Sequence, residues 1–315
     1  MPITITTWNV QNLAPSSPVF ADKIDFIVSI LQALNSDVIA LQEILDLTAL
    51  NTLATRLGFQ QVAAAPDSRG NRVAFLTRVA PVALPQQITQ FRLPAGIVIS
   101  EFDGSGNIRV VTQFPRPALQ ITVAHNGRQI DVITAHLKSK LLTFGGNFST
   151  SNETLRAHTA FFALERRAAE SAGVRDHVTG TLSAGRDVVV LGDLNDGTEA
   201  ATTEVLYGPP GSQPRGPADA TLASGAFQRP DAQDGQRLFN VTKLVPEPIR
   251  WSRRFNGQNE LLDHILASEG LMPRAGVLRQ VPTVSIHNED TPALAPNPTV
   301  FGVIPDHAPV TAVFV

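Results

Sequence analysis

The sequence predicts an α/β sandwich in which mixed β-sheets carry helices on their outer sides. Three observations lead there. Helical and strand-like periodicities alternate along the chain, from ITITTWNV at the start to APVTAVFV at the end. Some neighbouring strands are joined by short turn-rich segments, which makes them antiparallel hairpins within the sheets. Neither an internal repeat nor a linker divides the 315 residues, so residues 1–315 read as a single domain.

Taken in order, ITITTWNV gives a first strand that ends near Asn9. Residues 22–34 place Ile27, Ile30, Leu31 and Leu34 at helical spacing, and Asn35-Ser36-Asp37 breaks that helix. DVIALQEI is a buried strand whose apolar run ends at Gln42 and Glu43. A second helix covers 47–57 and is closed by Gly58. Strand-like runs follow at 72–77, 118–124 and 129–135, with DGSGN at 103–107 as a hairpin turn. A long helix fits 152–172, with Leu155, Phe162 and Ala169 inward. RDVVVLGD is the next strand, and the Gly-, Pro- and Asp-rich residues 208–236 read as surface loop. LLDHILAS and APVTAVFV are the last strands.

Composition narrows the function. With 43% hydrophobic and 17% charged residues the chain suits a soluble globular fold. A net charge of −3 gives no global basic field, although the cations are 21 Arg and only 4 Lys, so local arginine clusters can still grip phosphate. The absence of cysteine excludes disulfides, thiol catalysis and Cys-ligated zinc. No apolar run reaches transmembrane length, and the N-terminus lacks the charged and apolar regions of a signal peptide. The expected compartment is the cytoplasm, or the exterior if a leader precedes residue 1. No protein partner is evident. There is no HExxH helix, no GxxxxGK[ST] loop and no GxSxG elbow. Gly145-Gly146 is too short for a dinucleotide fingerprint.

The strands break into polar chemistry at or near one end. They give Asn9, Glu43, His136 with Lys138, Asp193 with Asn195, Asp263 with His264, and Asp306 with His307. Singly, an Asp at a strand end is a turn or helix-cap residue, and His264 is as readily a core-facing imidazole without a role. As a set, strand ends on one sheet rim converge into one pocket. Oxygen donors without cysteine suit a hard ion such as Mg²⁺ or Mn²⁺. Acid, amide and histidine around such an ion suit phosphoester hydrolysis by activated water.

TWNVQNL, VIALQEI, TAHLKSK, VVVLGDLND, ELLDHILAS and DHAPV occur in this order from residue 7 to residue 315. In that order they resemble the endonuclease/exonuclease/phosphatase superfamily, with its deoxyribonuclease-I-like fold. The resemblance implies a four-layer sandwich, two mixed β-sheets face to face with helices on both outer sides. It implies Glu43 as principal metal ligand with Asn9 beside it, and Asp306 as a further metal-side acid. Asp193 would orient or deprotonate the attacking water, and Asn195 would hold the scissile phosphate. His307 would sit on the phosphate with Asp263 orienting it, and His136 would be a second histidine. Arg116 resembles an arginine that reaches phosphate, with Arg156 a weaker candidate. One departure is Gln11 in the first motif, where some relatives carry Asp; Gln11 supplies no charge, which disfavours a second metal there.

Substrate has to be read from the loops. RWSRRFNGQNELLDH places Arg250, Arg253, Arg254 and Trp251 ahead of Asp263, a pattern able to stack a base and hold flanking phosphates, or to form a solvated hairpin. Lys138 and Lys140 add charge near the pocket. Nucleic acid is therefore the expected substrate of a Mg²⁺- or Mn²⁺-dependent phosphodiesterase, with a small-molecule or lipid-headgroup phosphoester as the alternative. The sequence shows no amphipathic apolar hairpin for membrane docking, which counts against the lipid case. A non-catalytic binding protein is the third reading, disfavoured by the complete acid and histidine set.

Overall fold

The computed structural model describes residues 2–102, 107–208, 234–255, 257–273, 280–288 and 302–315. The chain opens with β1 (Ile3–Leu13), α1 (Phe20–Leu34), β2 (Val38–Ile44) and α2 (Leu47–Leu57). It continues through β3 (Gln60–Ala63), β4 (Arg72–Thr77), β5 (Gln86–Gln90), β6 (Ile99–Phe102) and β7 (Ile108–Val111). Then come β8 (Gln113–His125), β9 (Arg128–His136), α3 (Glu153–Ser183), β10 (Asp187–Asp193) and α4 (Ala201–Tyr207). The last strands are β11 (Leu238–Asn240), β12 (Arg253–Phe255), β13 (Gln258–Glu260), β14 (Asp263–Ser268), β15 (Thr283–Ile286) and β16 (Val310–Phe314).

The helix ends follow from local chemistry. Asn35 closes α1 at φ 48°, its N–H reaching the Leu31 carbonyl, because a short amide side chain tolerates the left-handed region. Asp46 caps α2 by accepting from the Thr48 N–H, and Gly58 ends it at φ 71°.

Two six-stranded sheets form, ordered β15-β16-β1-β2-β4-β3 and β11-β14-β10-β9-β8-β5. Both are mixed. β1 runs parallel to β2 and antiparallel to β16, and β10 runs parallel to β9 and antiparallel to β14. Three apolar clusters define the layers. Ile3, Ile5, Val38 and Phe75 of the first sheet pack on Ile121, Val132, Leu191 and Ile265 of the second. Trp8, Ile39 and Leu41 on the outer side of the first sheet pack under Ile27, Leu31 and Leu50 of α1 and α2. Ile133, Val188 and Val190 on the outer side of the second pack under Val174, Val178 and Leu206 of α3 and α4. This is the four-layer α/β/β/α sandwich.

The inner faces of these strands are graded. Every second residue of β1 reads Ile3, Ile5, Thr7, Asn9; of β9, Ile130, Val132, Thr134, His136; of β10, Val189, Leu191, Asp193. β14 runs the other way and reads Ala267, Ile265, Asp263. All turn polar toward one rim. There the sheets are joined by hydrogen bonds instead of methyl groups: Gln42 Nε2 reaches Thr134 Oγ1 at 3.0 Å, and Asn9 Nδ2 reaches Asp193 Oδ2 at 3.0 Å.

Several expectations are corrected. β1 continues past Asn9 to Leu13 through a register shift, with Gln11 and Asn12 at φ 51° and 50°. The long helix runs to Ser183 instead of stopping at 172, because Gly173 is a packing position: a Cβ there would lie 2.8 Å from the Phe114 ring and 2.9 Å from the Gln90 carbonyl. Within that helix Ala169 is buried, while Leu155 and Phe162 are only partly covered. Of the DGSGN turn, 103–106 lie outside the described residues, but the flanking β6 and β7 are antiparallel partners. β7 exposes Ile108 and Val110, apolar side chains that the sequence reading did not single out. Most of the proposed 208–236 loop, residues 209–233, also lies outside the described residues.

Candidate active site

The register of three adjacent strands sets the centre of the site. Asp193 on β10 is paired with His136 on β9 to one side and Asp263 on β14 to the other. The preceding Gly192 makes this possible. It sits at φ 138°, and a Cβ there would fall 1.9 Å from the Ala135 carbonyl oxygen, so no side chain fits between the strands.

Asp193 is buried, with Oδ1 accepting from the Asn195 N–H at 2.9 Å and Oδ2 from Asn9 Nδ2 at 3.0 Å. The same Asn9 amide donates to Glu43 Oε1 at 3.0 Å, so one amide from the first sheet ties together an acid from each sheet. Glu43 Oε2 accepts from the Asn12 N–H at 2.9 Å. Among the seven described non-glycine residues with positive φ, four are here: Gln11, Asn12, Glu43 and Asn195. Backbone strain of this kind gathers where side-chain placement matters more than stability.

His307 faces Asp193 from the loop before β16. Its Nδ1 is 2.6 Å from Asp263 Oδ2, and its Nε2 is 3.9 Å from Asp193 Oδ2. Ser252 Oγ donates to the same Asp263 oxygen at 2.7 Å, and Trp8 Nε1 pins the His307 carbonyl at 2.8 Å. Burial works against an imidazolium here. The Asp263 and Asp193 carboxylates outweigh it and raise the pKa to about 10, so His307 is charged at neutral pH with both ring nitrogens protonated. Burial first, then the charges of Asp263 and Glu43, push Asp193 up to about 7 against the opposing pull of His307 and Asn9. His136 Nε2 lies 3.5 Å from Asp193 Oδ2, yet burial and then Arg116 drive its pKa well below 6.5. It is therefore a neutral imidazole beside the acid and no ion pair.

A cavity of about 670 Å³ opens over these groups, lined among others by Glu43, His136, Asp193, Asn195, Asp306 and His307. Asn9 is buried and hydrogen-bonded to two of them, Glu43 and Asp193. Asp306 is ion-paired with Arg253 at 3.4 Å, and Arg253 also lines the cavity. Lys140 and Arg156 stand on the wall, paired with Asp196 and Glu153. Asn195 Nδ2 donates to the Leu137 carbonyl at 3.1 Å.

Other residues named from the sequence are placed elsewhere. Arg116 is buried behind His136, donating to its carbonyl at 3.1 Å and pairing with Asp67 at 3.2 Å, and it does not line the cavity. Strand alternation turns Arg254 outward while Arg253 and Phe255 face the site. Arg250 donates to the Val245 carbonyl. Lys138 folds onto the Ser139 and Leu141 carbonyls. Trp251 and Arg250 are not among the cavity-lining residues. His264 is a core residue, Nε2 on the Asp196 carbonyl and Nδ1 beside Asn240.

Sequence reasoning missed Ser252, the Asn12 amide, and an apolar wall that includes Leu141, Phe144, Phe148 and Phe255. Ser252 carries no local signal, since its partner is eleven residues away on another strand. Of the segment that holds Phe144 and Phe148, sequence reasoning singled out only Gly145-Gly146, as too short for a dinucleotide fingerprint.

Two donor groups bear on a metal. Asp193, Asp263 and His307 have ligand atoms within 4.8 Å of one another. His307 Nδ1 lies 2.6 Å from Asp263 Oδ2, so within this trio that nitrogen is engaged in an acid–imidazole hydrogen bond. Glu43 and Asp306 line the cavity and offer carboxylate oxygens, the donor type that suits a hard divalent ion, while Asn9 meets Glu43 through its amide nitrogen. Both carboxylates act on the buried Lys23 ammonium, which burial lowers to about 8.

The sequence profile of the Endonuclease/Exonuclease/phosphatase family matches residues 6–286. No curated protein sequence matches the chain. Among solved structures, the human nocturnin catalytic domain with bound sulfate is similar at 16% identity and a TM-score of 0.58, covering 100% of this chain and 94% of that one. TDP2 from C. elegans is similar at 14% identity and a TM-score of 0.57, covering 99% and 75%. D. rerio TDP2 in complex with a single-strand DNA product gives 13% identity and a TM-score of 0.56, covering 100% and 99%. These likenesses are of fold. The profile match spans nearly the whole chain, and the chain belongs to the endonuclease/exonuclease/phosphatase family.

Proposed function

We propose that the protein is a metal-dependent phosphodiesterase that hydrolyses nucleic-acid phosphodiester bonds with an activated water. The observation that carries this reading is the placement of Asp193. It is held by the Asn9 amide on one side and faces the His307–Asp263 pair on the other, at the mouth of one cavity.

Glu43 and Asp306, with Asn9, would hold a Mg²⁺ or Mn²⁺ ion. Bound there, such an ion lowers the charge of the phosphate oxygens and favours ionised Asp193. Asp193 would take the proton of the attacking water as the new oxygen–phosphorus bond forms and the scissile P–O ester bond breaks, the leaving oxygen departing with the bonding pair and taking up a proton. His307, charged and held by Asp263, directs its Nε2–H at the oxygen on which negative charge grows. Neutral His136 and the Asn195 amide are further donors at the same wall. Arg253 and Lys140 hold flanking phosphate, each giving up an acidic partner to do so.

Substrate class rests on these cations, and the single-strand DNA product held by D. rerio TDP2 favours the same choice. Exposed Ile97, Val98, Ile108 and Val110 around β6 and β7 favour a second reading, a lipid-headgroup phosphoester. One comparison separates them: plasmid nicking in Mg²⁺ or Mn²⁺, with and without EDTA, beside bis-p-nitrophenyl phosphate and a phosphate-release panel that includes lipid headgroups. EDTA-sensitive nicking supports the nuclease reading. Turnover of headgroup phosphates with an intact plasmid would reject it.

A further inference from the structure

We infer that the segment FGGNF, residues 144–148, builds an aromatic subsite that takes the face of an unpaired nucleobase beside the scissile phosphate. The inference rests on the phosphodiesterase reading and deepens it.

The segment is a tight, anchored turn. Phe144 is buried, its N–H donates to the Asn147 carbonyl at 2.7 Å, and the Asn147 N–H returns the bond at 3.1 Å. Gly145 and Gly146 between them have φ of 58° and 92°. Positive φ at both central residues is the demand of a tight hairpin turn that glycine meets without steric cost. The turn therefore fixes where the next side chain goes. That side chain is Phe148, 70% exposed, and it lines the same cavity as Asp193 and His307.

Leu141 and Phe255, also largely exposed, line this cavity too. Exposed apolar side chains gathered beside a polar centre mark a ligand surface. The occupant has to be both flat and anionic. Lys140, Arg156 and Arg253 line the cavity with the aromatics, and the Arg253 guanidinium already stacks over the Phe255 ring at 4.8 Å. An alkyl chain would satisfy the rings and waste the cations. A nucleotide satisfies both. Its base must be unstacked, because both faces of a base inside a duplex are covered by its neighbours.

The test is equilibrium binding of the full-length chain carrying Asp193→Asn, in Mg²⁺, followed by fluorescence anisotropy. The probes are a labelled single-stranded thymidine oligonucleotide, the same length of abasic backbone, and the matching duplex. Base stacking on one aromatic predicts roughly five- to hundredfold tighter binding of the thymidine strand than of the abasic one. Adding Phe148→Ala should bring that ratio close to one, and Phe148→Trp should keep it. Phe148 is exposed, so both variants should melt at the parent temperature. Equal affinity for the thymidine and abasic strands, no binding of either, or a ratio that survives Phe148→Ala would overturn the subsite. So would binding to phosphatidylcholine vesicles that Phe148→Ala abolishes, if the strand ratio is one. Plasmid nicking by the unmodified chain keeps the two ideas apart. Nicking with a ratio of one removes the subsite and leaves the phosphodiesterase, whereas a high ratio without nicking does the reverse.

Discussion

In the proposed mechanism Asp193 has to be ionised to accept a proton, yet it is almost fully buried. Burial and the charges of Asp263 and Glu43 hold its pKa up, while charged His307 and the Asn9 amide pull the other way. Asp193→Asn keeps the shape and removes the proposed base, so kcat should fall by about 10²–10⁴ with a smaller change in KM. His307→Ala removes a donor to the growing charge, for a loss on the order of 10²–10³ in kcat. Asp263 touches the ring at 2.6 Å and is itself held by Ser252, which is the arrangement of a positioning residue. Asp263→Asn should then be milder than His307→Ala, and the double variant should cost little more than His307→Ala alone. A steady-state double-mutant cycle measures this, with circular dichroism checking each fold, and additive losses would reject the positioning role. Glu43→Gln keeps the acceptor for Asn9 but halves the acid set with Asp306. It should raise the Mg²⁺ concentration needed for half-maximal activity, and an unchanged metal titration would remove Glu43 from the metal site.

At the scale of elements, α3 carries two glycines with opposite expectations. Alanine in a helix interior is favoured over glycine by about 1 kcal/mol. At Gly180 a Cβ meets nothing within 4 Å, so Gly180→Ala should raise stability by about 0.5–1 kcal/mol. At Gly173 the new methyl would meet the Phe114 ring and the Gln90 carbonyl at under 3 Å, and a backbone carbonyl in a strand does not move aside cheaply. Overpacking costs about 1–3 kcal/mol, which outweighs the propensity gain, so Gly173→Ala should lower the urea midpoint while Gly180→Ala raises it. The same glycine explains why the sequence stops this helix early: periodicity cannot distinguish a helix breaker from a place where two elements touch. α2 was legible to its ends because Asp46 and Gly58 are local caps. The short edge strands β3, β5, β11 and β15 were not, since each is too short to show a period and is held by its neighbour's ladder. For the site the division is similar. Asn9, Glu43 and Asp193 end apolar runs and His307 precedes the last one, so their meeting at one rim could be expected from the sequence. The direction of Arg116, Arg254 and Lys138 could not, because a long side chain goes where its partner is, and Asp67 or a carbonyl is a tertiary partner.

Taken as a whole, the molecule carries a net charge of −3 and only 4 lysines, so attraction to a polyanion has to be local. The cavity holds Lys140, Arg156 and Arg253, and each is already paired with an acid. Neutralising a phosphate with one of them releases counterions but also breaks that pair, which trims the gain. A single strand loses affinity with salt at a slope of about −0.7 per phosphate neutralised. Three cations therefore set an expected slope no steeper than about −2 in a plot of log affinity against log salt. Arg253→Ala should flatten it by less than one full contact, because Asp306 is released at the same time. Arg254→Ala, whose side chain faces solvent away from the cavity, should leave it unchanged. Binding isotherms of a short single-stranded oligonucleotide across a range of KCl concentrations read both. A slope of −5 or steeper would show that the strand is gripped by arginines outside the cavity. A flattening by Arg254→Ala equal to that by Arg253→Ala would show that both sides of the β12–β13 hairpin meet the backbone.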